Sequence, residues 1–338
     1  MKAAIYPGGG QPLSVETVPD PTPAAGEVVV KVHRCGICGT DLHMTEGHMF
    51  QFPANCIPGH EYSGEVVALG KGVDGFKTGD KVTVYPSLGC GHCEACATGN
   101  LVLCRNVSGT MGGFGEYLSG LAAHTVKLPD TLSLADGALI EPLAIGRWGV
   151  RTSIMKPGDP VLVLGAGSIA LGVIYWARLM GAGRIVVMSR SARRKDMALQ
   201  FGADAFVQYG ENEVAEVIEA LGGKSPRVVF EAIGNPGFLG KGVQHAASLG
   251  QVVSMGFCTA PDSVIPGLVA TKGVSMIFPV GYAWEDFTET AKVMDKGHVD
   301  PKHMISSTVP LEDIQQAFER LRGSHNEVKV HVTMEGAA

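Results

Sequence analysis

The chain has 338 residues, 45% of them hydrophobic and 18% charged, with 46 glycines; this fits a globular α/β chain long enough for two domains and excludes a disordered one. A formal net charge of -6 excludes a broad basic face that would hold nucleic acid by counterion release, so the short basic run Arg190, Arg193, Arg194, Lys195 needs a local explanation. The opening Met1 to Tyr6 passes into a glycine-rich turn without the long apolar core of a signal peptide, and a cytoplasmic, reducing setting is expected.

Residues 1–148 read as short β-rich segments between turns: Val28 to Val32, Tyr62 to Leu69, Lys81 to Tyr85 and Leu121 to Lys127. Such a pattern predicts an irregular antiparallel barrel or sandwich. From about Pro160 the rhythm becomes strand then helix. Val161 to Leu164 is a strand, Ile169 to Leu179 a helix, Ile185 to Met188 a strand and Ala192 to Phe201 a helix. Further strands are predicted at Ala205 to Val207, Val228 to Ala232, Val252 to Met255 and Val274 to Phe278. Residues 149–282 are therefore expected to form a doubly wound parallel sheet. The apolar run Val161 to Ala177 is broken by Gly165, Gly167, Ser168 and Gly172, which fits a buried strand entering a helix and not a membrane span. The tail, 283–338, reads as helical with a final strand, Val328 to Thr333. It is expected to return to the first domain and leave a cleft between two bodies.

Leu164-Gly165-Ala166-Gly167-Ser168-Ile169-Ala170 follows a strand and opens a helix, the context in which Gly-x-Gly-x-x-Ala binds a dinucleotide. Gly165 permits the turn, Gly167 lets the backbone approach a pyrophosphate, and the amides at Ser168 and Ile169 face the phosphates at the helix start. An acid at the end of the second strand would hold the ribose 2′-OH of NAD. That place holds Met188-Ser189-Arg190, with no acid before Asp196. Ser189, Arg190 and Arg194 can instead bind a 2′-phosphate, so NADP(H) is expected over NAD(H).

Cys90, Cys93, Cys96 and Cys104 are separated by two, two and seven residues in a glycine-rich loop, 89–105. Four thiolates complete a tetrahedral zinc shell with no open position, which predicts a structural site. Free thiols and an iron-sulfur centre are the alternatives, the last gap being long for bacterial ferredoxins. A second group of metal-type residues is Cys38, His60 and Glu61, beside Thr40, Asp41 and His43. Neighbouring side chains of an extended strand point to opposite faces, so His60 and Glu61 reach one ion only if the backbone bends there.

With these motifs the chain resembles the zinc-containing medium-chain alcohol dehydrogenases, most closely the bacterial secondary-alcohol and polyol enzymes. The likeness runs through Met1 to Tyr6, Gly59-His60-Glu61, the cysteine lobe, Glu141-Pro142-Leu143-Ala144, the glycine turn, Pro310-Leu311-Glu312 and Lys329-Val330. It implies a GroES-like catalytic domain followed by a Rossmann domain, and two zinc ions per chain. It makes Cys38, His60 and Glu141 ligands of a catalytic zinc, Glu61 a ligand that exchanges with water, and Asp41 the carboxylate that fixes His60. It also implies hydride transfer between an alcohol and NADP(H), with the proton leaving through Thr40, the nicotinamide ribose and His43. A homodimer or homotetramer is implied, joined through the edge strand Val274 to Phe278. Tyr85 is the expected size-setting residue of the substrate pocket, with Phe50, Trp148, Phe278 and Trp284 as further aromatic candidates. Competing readings are a reductase of imines or activated double bonds, and a nucleotide-binding structural protein without turnover.

Overall fold

Val28, Val30 and Val32 supply one apolar face of the strand Glu27–Gly36, the centre of a seven-stranded sheet. The structure is a computed structural model that describes residues 1–47, 51–109 and 111–334. Along the sheet lie Ile305–Pro310, Lys329–Thr333, Glu27–Gly36, Glu61–Leu69, Lys81–Val84 and Thr125–Lys127, with Tyr117–Leu121 also paired to Glu27–Gly36. Every pairing is antiparallel except that of Ile305–Pro310 with Lys329–Thr333. The long strands Glu27–Gly36 and Glu61–Leu69 slip register twice, between Val29 and Val30 and between Val32 and Arg34. Such bulges twist and bend a ladder, here close to the end that carries Gly36 and Glu61.

This sheet belongs to a compact unit made of Met1–Glu141, Phe287–Asp295 and Ile305–Ala338. Its core runs from Val28, Val30 and Val32 through Tyr62, Val82 and Phe114 to Ile314, Phe318 and Val332. Two expectations need correction here. Leu121 to Lys127 is not one strand: Tyr117–Leu121 and Thr125–Lys127 are separated by the 3-10 turn Ala122–His124. The turn moves the chain from Glu27–Gly36 to a new partner, Lys81–Val84, and the Thr125 hydroxyl braces it by donating to the Leu121 carbonyl at 2.9 Å. The tail also holds a strand that the sequence reading did not contain, Ile305–Pro310, whose serines and threonine hide its alternation.

The second unit comprises Pro142–Asp286 and Lys296–Met304. Its six-stranded sheet has the order Ala205–Gln208, Ile185–Ser189, Val161–Leu164, Val228–Glu231, Gln251–Ser254, Ser275–Ile277, all parallel. Chain order reverses between Val161–Leu164 and Val228–Glu231, the switch point beside which open α/β sheets bind ligands. The central strands are buried on both faces, which is why they read as unbroken apolar runs. The expected helix Ala192 to Phe201 is α-helical only over Lys195–Gln200; its first residues form the 3-10 turn Ala192–Arg194, which no side chain caps. A Cβ at Gly146 would strike the Gly172 backbone, so the helices that carry them cross at close range. Trp176 ties the same crossing by donating its indole N–H to the Leu143 carbonyl at 2.8 Å. Among the described residues no helix is long and apolar enough to cross a membrane.

Candidate active site and metal centres

Strand Glu27–Gly36 ends just before the helix Gly39–Met44, whose cap residue is Cys38. Asp41, fully buried, closes that turn. One of its carboxylate oxygens accepts the Cys38 N–H at 3.0 Å, and the other faces His60 Nδ1 at 3.4 Å. A single side chain therefore sets the places of both Cys38 and His60. Gly59 adopts φ +95°, and a Cβ there would press on the Phe114 amide at 2.8 Å and the Cys35 sulfur at 3.0 Å. Only glycine suits this turn. His60 thus precedes the strand Glu61–Leu69 and is free of the alternation that would separate it from Glu61. Ligand atoms of Cys38, His60 and Glu61 all lie within 4.8 Å of one another. Burial works against a charged His60 ring, but Asp41 and Cys38 outweigh it and hold its pKa well above the ordinary value. A metal cation would take that proton's place, since histidine binds metals in its neutral form.

Glu61 has a second partner, absent from the sequence reading. Gly36 stands opposite both Glu61 and His331 in the ladder, so all three share a face. Lys329, two residues before His331, shares it too. No side chain rises from Gly36, where a Cβ would strike the Glu61 carboxylate and crowd the Lys329 stem. The Lys329 ammonium crosses this gap to both Glu61 oxygens, at 2.7 and 2.6 Å, and to the Ile37 carbonyl at 3.1 Å. Lys329 and Glu61 are both buried. Burial alone would lower the Lys329 pKa; the charges of Glu61 and Cys38 reverse this and keep it raised, with Glu141 adding to the effect. Glu141 lies buried in the first turn of the helix Ile140–Thr152, within electrostatic reach of Lys329 and outside the 4.8 Å grouping of Cys38, His60 and Glu61. Thr40 is half-buried on the helix that Cys38 caps. His43, one turn on, is exposed, with Nδ1 3.7 Å from Glu46.

Ligand atoms of Cys90, Cys93, Cys96 and Cys104 also lie within 4.8 Å of one another. The Cys96 sulfur is 3.9 Å from that of Cys90 and 3.5 Å from that of Cys93. Backbone N–H groups of Cys90 and Asn106 donate to the Cys104 sulfur at 3.3 and 3.4 Å. The His92 N–H and the neighbouring Cys93 amide hold Cys90 down at about 6, while desolvation leads the shift of Cys96 up to about 11. Four sulfurs on one small loop, one of them ionised near neutral pH, fit a tetrahedral metal with no open place.

At the glycine turn Gly165 has φ +107° and its N–H donates to the Met188 carbonyl at 2.8 Å. Gly167 caps the helix Ser168–Leu179, with Ser168 and Ile169 half-buried in its first turn and Ala170 fully buried beneath. A Cβ on Gly167 would lie 3.8 Å from an Arg194 guanidinium nitrogen, which places that cation over the turn. Ser189 ends its strand and Arg190 is exposed beside it. The next strand ends at Gln208, whose side chain donates to the Arg190 carbonyl at 3.0 Å, and is followed by Tyr209, whose N–H donates to the Ser189 carbonyl at 3.2 Å. Sequence reasoning missed Tyr209 because nothing near it in the chain marks the contact.

Tyr85 is fully buried, edge-on to Phe287 at 5.4 Å and to His124 at 6.2 Å, and packs as core. Trp148 lies under the Arg151 guanidinium at 4.8 Å, Phe278 is 61% exposed, and Trp284 opens the helix Trp284–Val293. Phe50 lies outside the described residues.

Residues 24–130 match the family described as Alcohol dehydrogenase GroES-like domain, and residues 168–296 match Zinc-binding dehydrogenase. A sorbitol dehydrogenase of Bacillus subtilis (strain 168) is 31% identical over 337 residues, covering 97% of this chain and 95% of its own length. An alcohol dehydrogenase structure from E. coli CFT073, complexed with the cofactor NADH, has TM-score 0.91 and 29% identity, covering 99% of each chain. A zinc-binding dehydrogenase structure from Sinorhizobium meliloti 1021, bound to NADP, has TM-score 0.89 and 30% identity, covering 98% of each. The chain therefore belongs to the zinc-type medium-chain alcohol dehydrogenase family and is an oxidoreductase of the alcohol and polyol dehydrogenase class.

Proposed function

We propose that the protein oxidises a secondary hydroxyl of a small alcohol or polyol, or reduces the matching ketone, with NADP(H) and two zinc ions per chain. The observation that carries this reading is the convergence of Cys38, His60 and Glu61 within 4.8 Å, next to the helix that presents Thr40 and His43. Zinc held by these donors would supply the Lewis acidity that lowers the pKa of a substrate hydroxyl toward neutrality, and a nicotinamide would supply the hydride acceptor. Thr40 would accept the substrate's proton at its hydroxyl oxygen while giving up its own proton outward, and the exposed His43 ring is the outer acceptor that releases a proton to water. Asp41 keeps Cys38 and His60 in place throughout. The cysteine lobe carries the second zinc, with a structural role.

Relatives bind NADH in one case and NADP in another, so the choice rests on this chain's residues. Ser189, Arg190, Arg194 and the Tyr209 ring gather hydroxyl groups and cations where an NAD-binding protein would carry an acid. The edge strand Ser275–Ile277, followed by exposed Phe278 and Val280, supports a homo-oligomer joined sheet to sheet. The test is steady-state kinetics on sorbitol, 2,3-butanediol and simple ketones with each coenzyme. A kcat/KM at least about tenfold higher with NADP(H) is expected, and Arg190→Ala should remove most of that preference. Equal efficiency, or a preference for NAD(H), would refute the coenzyme assignment.

A further inference from the structure

A cluster of ionisable side chains in the second unit takes no part in the metal sites or the glycine turn. Glu213, first residue of the helix Glu213–Ala220, is buried. Its carboxylate receives the Lys241 ammonium, the Gly210 N–H at 3.2 Å and the His245 ring at 3.4 Å. Burial works to raise the Glu213 pKa, yet Lys241, Gly210 and His245 outweigh it and leave it below the ordinary carboxylate value. Glu213 is buried and Lys241 is 26% exposed; so largely desolvated an ion pair is a poor way to gain stability, because desolvation consumes much of its attraction. Its placement therefore calls for another purpose.

The Lys241 ammonium stands 4.7 Å over the centre of the Tyr209 ring, and the Phe238 ring lies 5.8 Å from it. Tyr209 is thus gripped from two sides while its backbone is tied to Ser189. Its hydroxyl is buried and meets no hydrogen-bond partner among the described residues. A desolvated hydroxyl is costly unless a ligand pairs with it. Burial and the nearby Glu213 and Glu231 carboxylates raise the pKa of this hydroxyl, and the charge of Arg190 works against them.

We propose that the Glu213–Lys241 pair positions Tyr209, holding its hydroxyl toward the same anion that Ser189 and Arg190 address, the phosphate on the adenine ribose. The inference rests on the NADP reading above. Lys241 and Glu213 act through Tyr209 and do not touch the coenzyme. The test needs no turnover: calorimetric titration of the full chain with adenosine 2′,5′-bisphosphate and with 5′-AMP, for wild type, Lys241→Met, Lys241→Arg and Glu213→Gln. Wild type should bind the bisphosphate more tightly. Lys241→Met and Glu213→Gln should each weaken the bisphosphate about tenfold while changing 5′-AMP less than about twofold, and Lys241→Arg should stay near wild type. Should Glu213→Gln fail to fold, the two Lys241 variants decide the matter. If wild type prefers the bisphosphate but Lys241→Met weakens both nucleotides equally, or neither, the positioning role is wrong. If wild type does not distinguish the two nucleotides, the coenzyme assignment itself fails.

Discussion

At the scale of single residues, the buried Lys329 decides how Glu61 behaves. The carboxylate sits among metal-type donors, yet its charge is already matched by an ammonium that crosses over Gly36. Lys329→Met leaves Glu61 buried and unpaired, and we predict a loss of about 3–5 kcal/mol in urea unfolding. The double variant Lys329→Met with Glu61→Gln should recover most of it; a single variant as stable as wild type would contradict the pairing. His331 gives a pH prediction. Burial, with help from Lys329 and Arg34, pushes its pKa down to about 3. Unfolded, it binds a proton near pH 6.5, so folding excludes a proton below that value. Its contribution is intact above about pH 6.5 and is lost, by about 1.4 kcal/mol per unit, as pH falls toward 3. His331→Leu should show a shallower fall in stability between pH 6.5 and 4.5 than wild type. Parallel curves for the two proteins would show that this ring does not titrate as described. Neither residue's role was legible in the sequence, because Lys329 and Glu61 stand 268 positions apart and meet only through strand pairing.

At the scale of elements, legibility follows locality. The cysteine lobe and the glycine turn are built from neighbours in the chain, so spacing alone predicts which atoms can meet. The strand Ile305–Pro310 and the break at Ala122–His124 depend on distant partners, and their residues carry weak alternation or none. The turn at Gly59 lies between these cases: the bend needed to bring His60 and Glu61 together could be stated as a requirement, and the backbone meets it with a left-handed glycine. The lobe also gives a prediction that separates stability from chemistry. Cys90→Ser opens a closed tetrahedral set, so the thermal midpoint should fall by several degrees while kcat of the folded fraction changes less than about threefold. An unchanged midpoint with lost turnover would reverse the roles of the two metal-type clusters.

At the scale of the whole molecule, the change from β-rich segments to strand-helix repeats was readable because hydrophobic period and turn spacing differ between the two halves. Substrate choice was not readable, since it rests on aromatic side chains such as Tyr85 whose surroundings spacing cannot fix. The proposed chemistry depends on Cys38 and His60, with Glu61 or Glu141 as the carboxylate, holding one zinc apart from that of the cysteine lobe. The most direct measurement is zinc content by mass spectrometry, with turnover, for wild type and Cys38→Ser. Two zinc ions per chain in wild type, and one in a folded Cys38→Ser variant without turnover, are the predicted results. One zinc in wild type, or a Cys38→Ser variant that turns over at the wild-type rate, would contradict the account.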